Sequence, residues 1–250
     1  MENPVIIFGA GSLGAVALDI FKRNSVVTYC FLDDDEKMHN TEIDDVIVMG
    51  STDDEGFTKL IGKKCEAFIA IDDIKVRKNL VEMLNDRRKV QPVNAVHDST
   101  IIASTAGIGH GNLISAGSII NARANIGNHC LIHSKVLIDA DTKISDFVQI
   151  GAGSSIGTSV EIGEGTFIGS GVTIVSGVKI GKGARIGAGS VVIENIAAKE
   201  TVSGIRQKRY NIFQLIVRAV KLRNSFTALF YKRSIFSSFN NSMALNFRNS

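Results

Sequence analysis

The chain has 250 residues, enough for one large domain or two modest ones, and 44% of them are hydrophobic, which is ample for a core. Residues 1–200 carry 19 basic and 25 acidic side chains, whereas the last fifty carry nine basic and no acidic ones, so the basic balance belongs to a tail. No stretch approaches the ~18–20 continuous apolar residues of a membrane span, and the N-terminus has no export pattern. We therefore expect a cytoplasmic protein, with Cys30, Cys65 and Cys130 reduced and buried.

Residues 1–92 are predicted to form a small α/β domain of Rossmann-like type. Residues 5–8 are an apolar strand that runs into a glycine turn at 9–14 and then a helix, and residues 26–32 are a second strand. Further strands are predicted at 46–48 and 67–71, and a helix at 76–84. The unit is too short for the two mononucleotide halves of a dinucleotide-binding domain, so it is expected to hold one nucleotide.

The glycine turn is the candidate substrate-binding site, with Gly9, Gly11, Ser12 and Leu13 in it. Glycines there let the backbone approach a phosphate closely, and the N-terminus of the following helix attracts anions. The second strand ends in acidic residues, of which Asp33 and Asp34 are candidates for hydrogen bonds to a ribose or base. A plain strand–turn–helix corner without a ligand, and a solvated acidic loop, remain the alternatives.

From residue 93 to 204 a period of six governs the sequence. Isoleucine occupies every sixth position from 102 to 186, bracketed by valines at 96 and 192. The position four residues after each isoleucine is small or β-branched with one exception, so both side chains are expected to point inward from an extended chain. Three six-residue faces close an eighteen-residue triangular coil, and glycine after many of the isoleucines is expected to make the turns. The pattern predicts a parallel β-helix.

Residues 205–250 leave this register and are predicted to form a basic, aromatic-rich amphipathic helical tail. Such a tail can lie peripherally at the anionic inner face of a membrane. Packing on the β-helix or on a neighbouring subunit is the alternative. The basic residues belong to no nucleic-acid-binding module.

The two-part architecture resembles the sugar acyltransferases typified by the bacillosamine-pathway and sialic-acid-pathway acetyltransferases. The resemblance covers about residues 4–204 and rests on the segments Phe31–Asp35, Ala70–Asp73, Ala116–Ala122, Ile162–Gly169 and Ile186–Val192. It implies a homotrimer of left-handed β-helices that transfers acetyl from acetyl-CoA to a sugar amine or hydroxyl, commonly on a nucleotide sugar held by the N-terminal domain. It also implies that acetyl-CoA lies along the outer β-helix between subunits, near Thr158, Ser170 and Ala188.

The chain departs from the family pattern where the chemistry is expected. The family's general-base histidine falls on Ala140, and a second family histidine falls on Gln149. In the N-terminal domain Leu13 replaces a histidine of the nucleotide turn, and Asp72 replaces a glycine. General-base help is typically worth about 10²–10⁴-fold in rate, so an enzyme of this kind needs another proton acceptor.

Asp139 and Asn121 are the remaining catalytic candidates, because residues eighteen apart stack in one column on the outer surface. Burial of Asp139 at a subunit boundary would raise its pKa and allow it to accept a proton. A solvated turn carboxylate is the alternative. His110, His129 and His133 fall at turns, where no role is expected, and no set of residues has metal-ligand spacing.

Two functional hypotheses follow, and they belong to different classes. The first is an acetyl-CoA-dependent acyltransferase for a sugar or nucleotide sugar in surface polysaccharide synthesis. The alternative is a catalytically degenerate β-helix trimer that acts as a scaffold or regulatory partner. A third reading, an NAD-dependent enzyme, rests on the glycine turn alone.

Overall fold

The computed structural model describes residues 3–204, which form an α/β part followed by a left-handed parallel β-helix, and this confirms the predicted fold class. The elements of the α/β part are β1 (Val5–Phe8), α1 (Ser12–Arg23), β2 (Thr28–Leu32), a 3₁₀ turn (Glu36–Met38), β3 (Glu42–Ile43), β4 (Val46–Gly50), α2 (Glu55–Thr58), β5 (Glu66–Ile69) and α3 (Ile74–Arg88).

A five-stranded sheet with the order β3-β4-β2-β1-β5 is the centre of the α/β part. Strands β4, β2, β1 and β5 are parallel, so their carboxyl ends meet at one edge. The sequence prediction missed β3, which is only two residues long and pairs antiparallel with β4. Asp44 and Asp45 make the hairpin turn with positive φ angles, which short polar side chains tolerate.

The β-helix consists of two-residue strands, which are separated by four-residue turns from β6 to β22 and by eight residues between β22 and β23. They are β6 (Ala95–Val96), β7 (Ile101–Ile102), β8 (Gly107–Ile108), β9 (Leu113–Ile114), β10 (Ile119–Ile120), β11 (Asn125–Ile126), β12 (Leu131–Ile132), β13 (Leu137–Ile138), β14 (Lys143–Ile144), β15 (Gln149–Ile150), β16 (Ser155–Ile156), β17 (Glu161–Ile162), β18 (Phe167–Ile168), β19 (Thr173–Ile174), β20 (Lys179–Ile180), β21 (Arg185–Ile186), β22 (Val191–Val192) and β23 (Thr201–Val202).

Strands pair at a spacing of eighteen residues, as in Ile120 with Ile138 and Ile132 with Ile150. From Ile114 onward the periodic isoleucines are buried in one continuous core, together with the small residues four positions later. The inward direction predicted for both positions is therefore confirmed. Buried hydroxyls are paired as well, since Thr142 and Ser154 each donate to a backbone carbonyl of the next coil, at 3.0 Å.

The predicted reason for the glycines was wrong. Positive φ angles occur three residues after each periodic isoleucine from Ile108 to Ile186, at Gly171 and Gly189 but also at Asp141, and not at the glycine that directly follows it. The glycine after the isoleucine is needed because the next coil lies too close for a side chain. A Cβ on Gly169 would lie 2.5 Å from the backbone N of Ala188.

Three sheets form the sides of the β-helix. The domain sheet (β6, β9, β12, β15, β18, β21, β23) packs on the α/β part, because its outward Leu113 and Leu131 belong to the same core as α1. The charged sheet (β8, β11, β14, β17, β20) presents Lys143, Glu161 and Lys179. The apolar sheet (β7, β10, β13, β16, β19, β22) presents an outward column of uncharged residues, which are Ile101, Ile119, Leu137, Ser155, Thr173 and Val191.

Two basic side chains of α3 act at and near the boundary between the two parts, one across it and one within the α/β part. Lys78 of α3 pairs with Glu164 of the β-helix, and its Nζ lies 4.8 Å from the ring centre of Phe147. Arg77 is 1% exposed and donates from Nη1 to the carbonyls of Ile71 and Asp72 at 2.5 and 3.1 Å. The loop after β5 is therefore anchored from beneath.

The three cysteines are buried and free, as predicted. Among residues 3–204 no helix has the length and hydropathy of a membrane span. The amphipathic tail predicted for 205–250 lies outside the described residues.

Two glycines of one turn, each replaced by asparagine, should show whether close packing or backbone conformation explains the need for glycine. Gly169→Asn should destabilise the protein by about 1–3 kcal/mol, because its Cβ meets the next coil. Gly171→Asn should change stability by a few tenths of a kcal/mol, since φ is +67° there, a left-handed conformation that Asn tolerates, and no atom lies within 4 Å of the added Cβ. Urea unfolding of both variants measures the difference, and equal effects would contradict the packing argument.

Candidate functional site

The glycine turn lies at the carboxyl edge of the central sheet. Gly9 has a φ of +102°, and a Cβ there would lie 2.6 Å from the carbonyl oxygen of Ala70, so the turn needs glycine. Gly11 precedes α1, and a Cβ there would meet nothing within 4 Å. The N-terminus of α1 has no side-chain cap, which leaves first-turn N–H groups for an anion.

Two of the predicted turn residues differ in what they can offer a ligand. Ser12 is exposed, whereas Leu13 is only 7% exposed and packs in the core with Ala17 and Phe21. The side chain of Leu13 is therefore part of the core, and the substrate contact predicted for this residue falls to its backbone. Its backbone N–H is the group that can still face a phosphate.

Asp33 and Asp34 follow β2 at the same edge, and both are already hydrogen-bonded. Asp33 accepts from the backbone N–H of Ala10 at 2.7 Å, which ties the end of β2 to the glycine turn. Asp34 accepts from the backbone N–H of Thr52 at 2.8 Å and from its hydroxyl. Because a carboxylate has about four lone-pair sites, each retains capacity for a sugar hydroxyl.

A polar cluster that sequence reasoning missed connects this edge to the β-helix. The amide Nε2 of Gln149 lies 3.4 Å from Oδ1 of Asp72 and 3.1 Å from Nε2 of His133. Gln149 projects from the domain sheet, and His133 begins the turn that leads from the domain sheet to the apolar sheet, which we call the first corner. The cluster will be called the His133 cluster.

Burial lowers the pKa of His133, and the opposite charge of Asp72 partly offsets this effect. His133 is therefore neutral at pH 7. His129, which lies four residues earlier in the chain, is buried and packs against an aromatic ring. Burial lowers the pKa of His129 to about 4, and its ring stacks on Phe147, with 4.9 Å between ring centres.

Asp139 and Asn121 meet on the turn that leads from the apolar sheet to the charged sheet, which we call the second corner. Asn121 Nδ2 donates to Oδ1 of Asp139 at 2.9 Å, and Thr158 Oγ1 donates to Oδ2 at 2.7 Å. The backbone N–H of Ala140 donates to Oδ1 at 2.8 Å. The stacking of Asn121 beside Asp139 is therefore confirmed.

These donors lower the pKa of Asp139, with the Thr158 hydroxyl having the largest effect, then the Ala140 N–H and then Asn121. A raised pKa through burial of Asp139 at a subunit boundary stays a prediction, because the single chain contains no such boundary. In the single chain Asp139 is a hydrogen-bonded carboxylate and a weak proton acceptor.

The three candidate acetyl-CoA contacts lie on two corners. Ser170 and Ala188 are exposed on the first corner, two and three coils beyond His133, or about 10 and 14 Å at the usual strand spacing. Thr158 is on the second corner and is engaged with Asp139. Across residues 3–204 no group of three or more His, Cys, Asp or Glu side chains is placed to hold a metal ion.

Two family models match the sequence. The PglD N-terminal domain matches residues 4–84, and the bacterial transferase hexapeptide model matches 141–176 and 159–194. Comparison with curated proteins finds no match. These domain matches confirm the resemblance described above.

Solved structures of similar fold include sugar acetyltransferases. GDP-perosamine N-acetyltransferase from Caulobacter crescentus, as a histidine-to-alanine mutant with CoA and GDP-perosamine, is 27% identical with a TM-score of 0.74 over 82% of this chain and 95% of that one. PerB from the same organism, again with CoA and GDP-perosamine, is 25% identical with a TM-score of 0.72 and the same coverage. The acetyltransferase domain of PglB from Neisseria gonorrhoeae, at 20% identity and a TM-score of 0.74 over 81% of this chain and 97% of that one, supports the fold.

The low pKa of Asp139 predicts a pH-dependent contribution to stability. A carboxyl whose folded pKa is depressed stabilises the protein above its unfolded pKa of about 3.9, and that contribution is lost as the pH falls through the folded pKa. Asp139→Asn should therefore be less stable than wild type at pH 7, with a gap that closes towards pH 2.

Urea unfolding at several pH values measures this gap. Asp86→Asn on the exposed surface of α3 is the matched control and should show a much smaller gap. If the difference in unfolding free energy between Asp139→Asn and wild type did not change with pH, the lowered pKa of Asp139 would be contradicted.

Proposed function

We propose that this chain, which joins a PglD N-terminal domain to bacterial transferase hexapeptide repeats, is an acyltransferase that moves acetyl from acetyl-CoA to a sugar or nucleotide sugar in bacterial surface glycan synthesis. One observation carries the proposal: the carboxyl edge of a nucleotide-type sheet is fixed beside a corner of a β-helix, through Asp72, Gln149 and His133. An acceptor held at that edge lies next to a corner along which an acyl donor can extend.

The acceptor is proposed to bind through its nucleotide at the carboxyl edge. The N–H groups at the start of α1 take the phosphates, and Gly11 leaves the approach open. Asp33 and Asp34 accept hydrogen bonds from sugar or base hydroxyl and amino groups. The 27% identical relative was crystallised with GDP-perosamine, which supports a nucleotide sugar as the acceptor class.

The acyl donor is proposed to lie along the first corner past Ser170 and Ala188, with Thr158 contributed by a second subunit. The relative with a histidine-to-alanine change still holds both CoA and GDP-perosamine, so ligand binding in that protein survives the loss of a histidine. This supports binding of both substrates here despite Ala140. Both substrates are made inside the cell, so we place the reaction in the cytoplasm.

A homotrimer is proposed to bring the two corners together. The α/β part packs on the domain sheet at Leu113 and Leu131 and the charged sheet is polar, which leaves the apolar sheet as the proposed face for contacts between copies. In a cyclic trimer whose apolar sheets surround the axis, the first corner of one subunit meets the second corner of the next. The His133 cluster of one copy would then adjoin Asp139 and Ala140 of its neighbour.

The second candidate function is a β-helix trimer that has lost catalysis and acts as a scaffold. One observation favours it: Asp139 is engaged with three internal donors. The resemblance adds that Ala140 takes the place of the family's histidine base. The two candidates make different predictions for turnover.

The wild-type protein is expected to release CoA thiol when acetyl-CoA is mixed with UDP- or GDP-linked amino sugars. The variant Ala140→His places a histidine where the resemblance implies the family's base. It distinguishes an active site that lacks only this base from one that can no longer bind or turn over its substrates. Activity only in the variant would mean that the site has lost its base, whereas silence of both proteins on every acceptor would support the scaffold.

The apolar sheet predicts the assembly state. Leu137→Glu would place three carboxylates near the trimer axis and should yield monomers by sedimentation or light scattering. Lys143→Glu, in the same coil but on the charged sheet, should remain trimeric. A trimeric Leu137→Glu protein, or a monomeric wild type, would contradict the proposed interface.

A further inference from the structure

His133 has the chemistry of a proton acceptor and occupies the place where the two substrates are proposed to meet. It begins the first corner, two coils before Ser170, and Gln149 connects it to Asp72 at the carboxyl edge of the central sheet. Among the other described histidines, His110 is exposed, His129 is stacked on Phe147, His97 bonds to Ser99 and Asp98, and His39 bonds through Nε2 to the carbonyl oxygen of Asp33 at 2.7 Å.

The orientation of the Gln149 amide, with its nitrogen towards both Asp72 and His133, implies one tautomer of His133. A glutamine amide nitrogen is a donor only, so Gln149 donates to Nε2 of His133 and to the Asp72 carboxylate. Nε2 of His133 is therefore unprotonated and its proton resides on Nδ1. The lone pair on Nε2 accepts from Gln149 in this structure. An N–H or O–H group of the sugar acceptor can take the place of Gln149 and donate to the same lone pair.

The loop that carries Asp72 is held rigidly. Buried Arg77 binds the carbonyls of Ile71 and Asp72 and is itself fixed beneath the loop. Asp72 is the charged group that faces His133 from the α/β part, and Gln149 is its neutral neighbour on the domain sheet. The cluster is therefore defined by both parts of the chain, with Asp72 exposed and with His133 and Gln149 partly buried.

We propose that His133 is the general base of this enzyme, in place of the histidine absent at Ala140, with Gln149 and Asp72 as positioning residues. The inference rests on the proposed acyltransferase function. The acceptor nitrogen or oxygen attacks the thioester carbonyl carbon and forms the new C–N or C–O bond, while its proton passes to Nε2 of His133. The C–S bond then breaks, and His133 returns the proton to the CoA thiolate.

The test is the pH profile of kcat/KM for acetyl transfer by the full chain. His133→Asn should lower kcat/KM by about 10²–10⁴-fold and remove the acidic limb of the profile. His110→Asn, at an exposed turn histidine, is the matched control and should leave both unchanged. Circular dichroism and sedimentation establish that both variants fold and assemble as the wild type does.

The pH profile of an Asp72→Asn variant is a second test, and it does not depend on the His133 variant. Asp72 raises the pKa of His133, so removal of its charge should move the acidic limb to lower pH. Addition of Ala140→His to His133→Asn should restore part of the lost rate, because a base then returns from the second corner.

The outcomes separate this inference from the function on which it rests. No turnover by wild type on any acceptor would overturn the acyltransferase itself. An active wild type, with His133→Asn within about threefold of it and an unchanged pH profile, would overturn the role of His133 alone.

Discussion

Burial of one isoleucine in every six residues is the constraint on which the rest of the structure depends. Each buried isoleucine stabilises the fold by about 1.5–3 kcal/mol, and a slip of one residue would turn the whole set outward. The chain therefore keeps an eighteen-residue register, as in Ile132 over Ile150. Side chains outside the core inherit that register, and for this reason Asn121 stands beside Asp139.

The second constraint is the covering of one side of the β-helix by the α/β part. Leu113 and Leu131 occupy outward positions that would be exposed in an isolated β-helix, and they complete the core around α1 instead. The Lys78–Glu164 pair adds a polar anchor across this boundary, and the buried guanidinium of Arg77 holds the loop after β5 within the α/β part. Together these contacts fix the carboxyl edge of the central sheet against the domain sheet, so the His133 cluster depends on packing far from it.

Local and periodic features were predictable from the sequence. A six-residue period matches neither an α-helix nor an ordinary strand and therefore predicts a β-helix. The apolar strand that ends at Phe8, followed by a glycine turn, predicted the start of the α/β part. The direction of the Asp139 pKa was not predictable, because it depends on three donors from two coils. The His133 cluster was missed because Asp72 and Gln149 are 77 residues apart and meet only when the two parts pack together. The one available signal was that Asp72 and Gln149 both replace residues of the family pattern.

With alanine at position 140, where the family resemblance implies a histidine base, two groups are candidates to take a proton, and their surroundings rank them. Asp139 is held ionised by three hydrogen-bond donors, and each of those donors makes it a weaker base. His133 also has a lowered pKa, but the reduction starts from the higher value of an imidazole and is opposed by Asp72. At neutral pH both groups are unprotonated, so the stronger base is the one whose conjugate acid is less acidic. Catalysis by this β-helix would then be tied to the corner that contacts the α/β part, and binding of the acceptor and proton transfer would share one set of contacts.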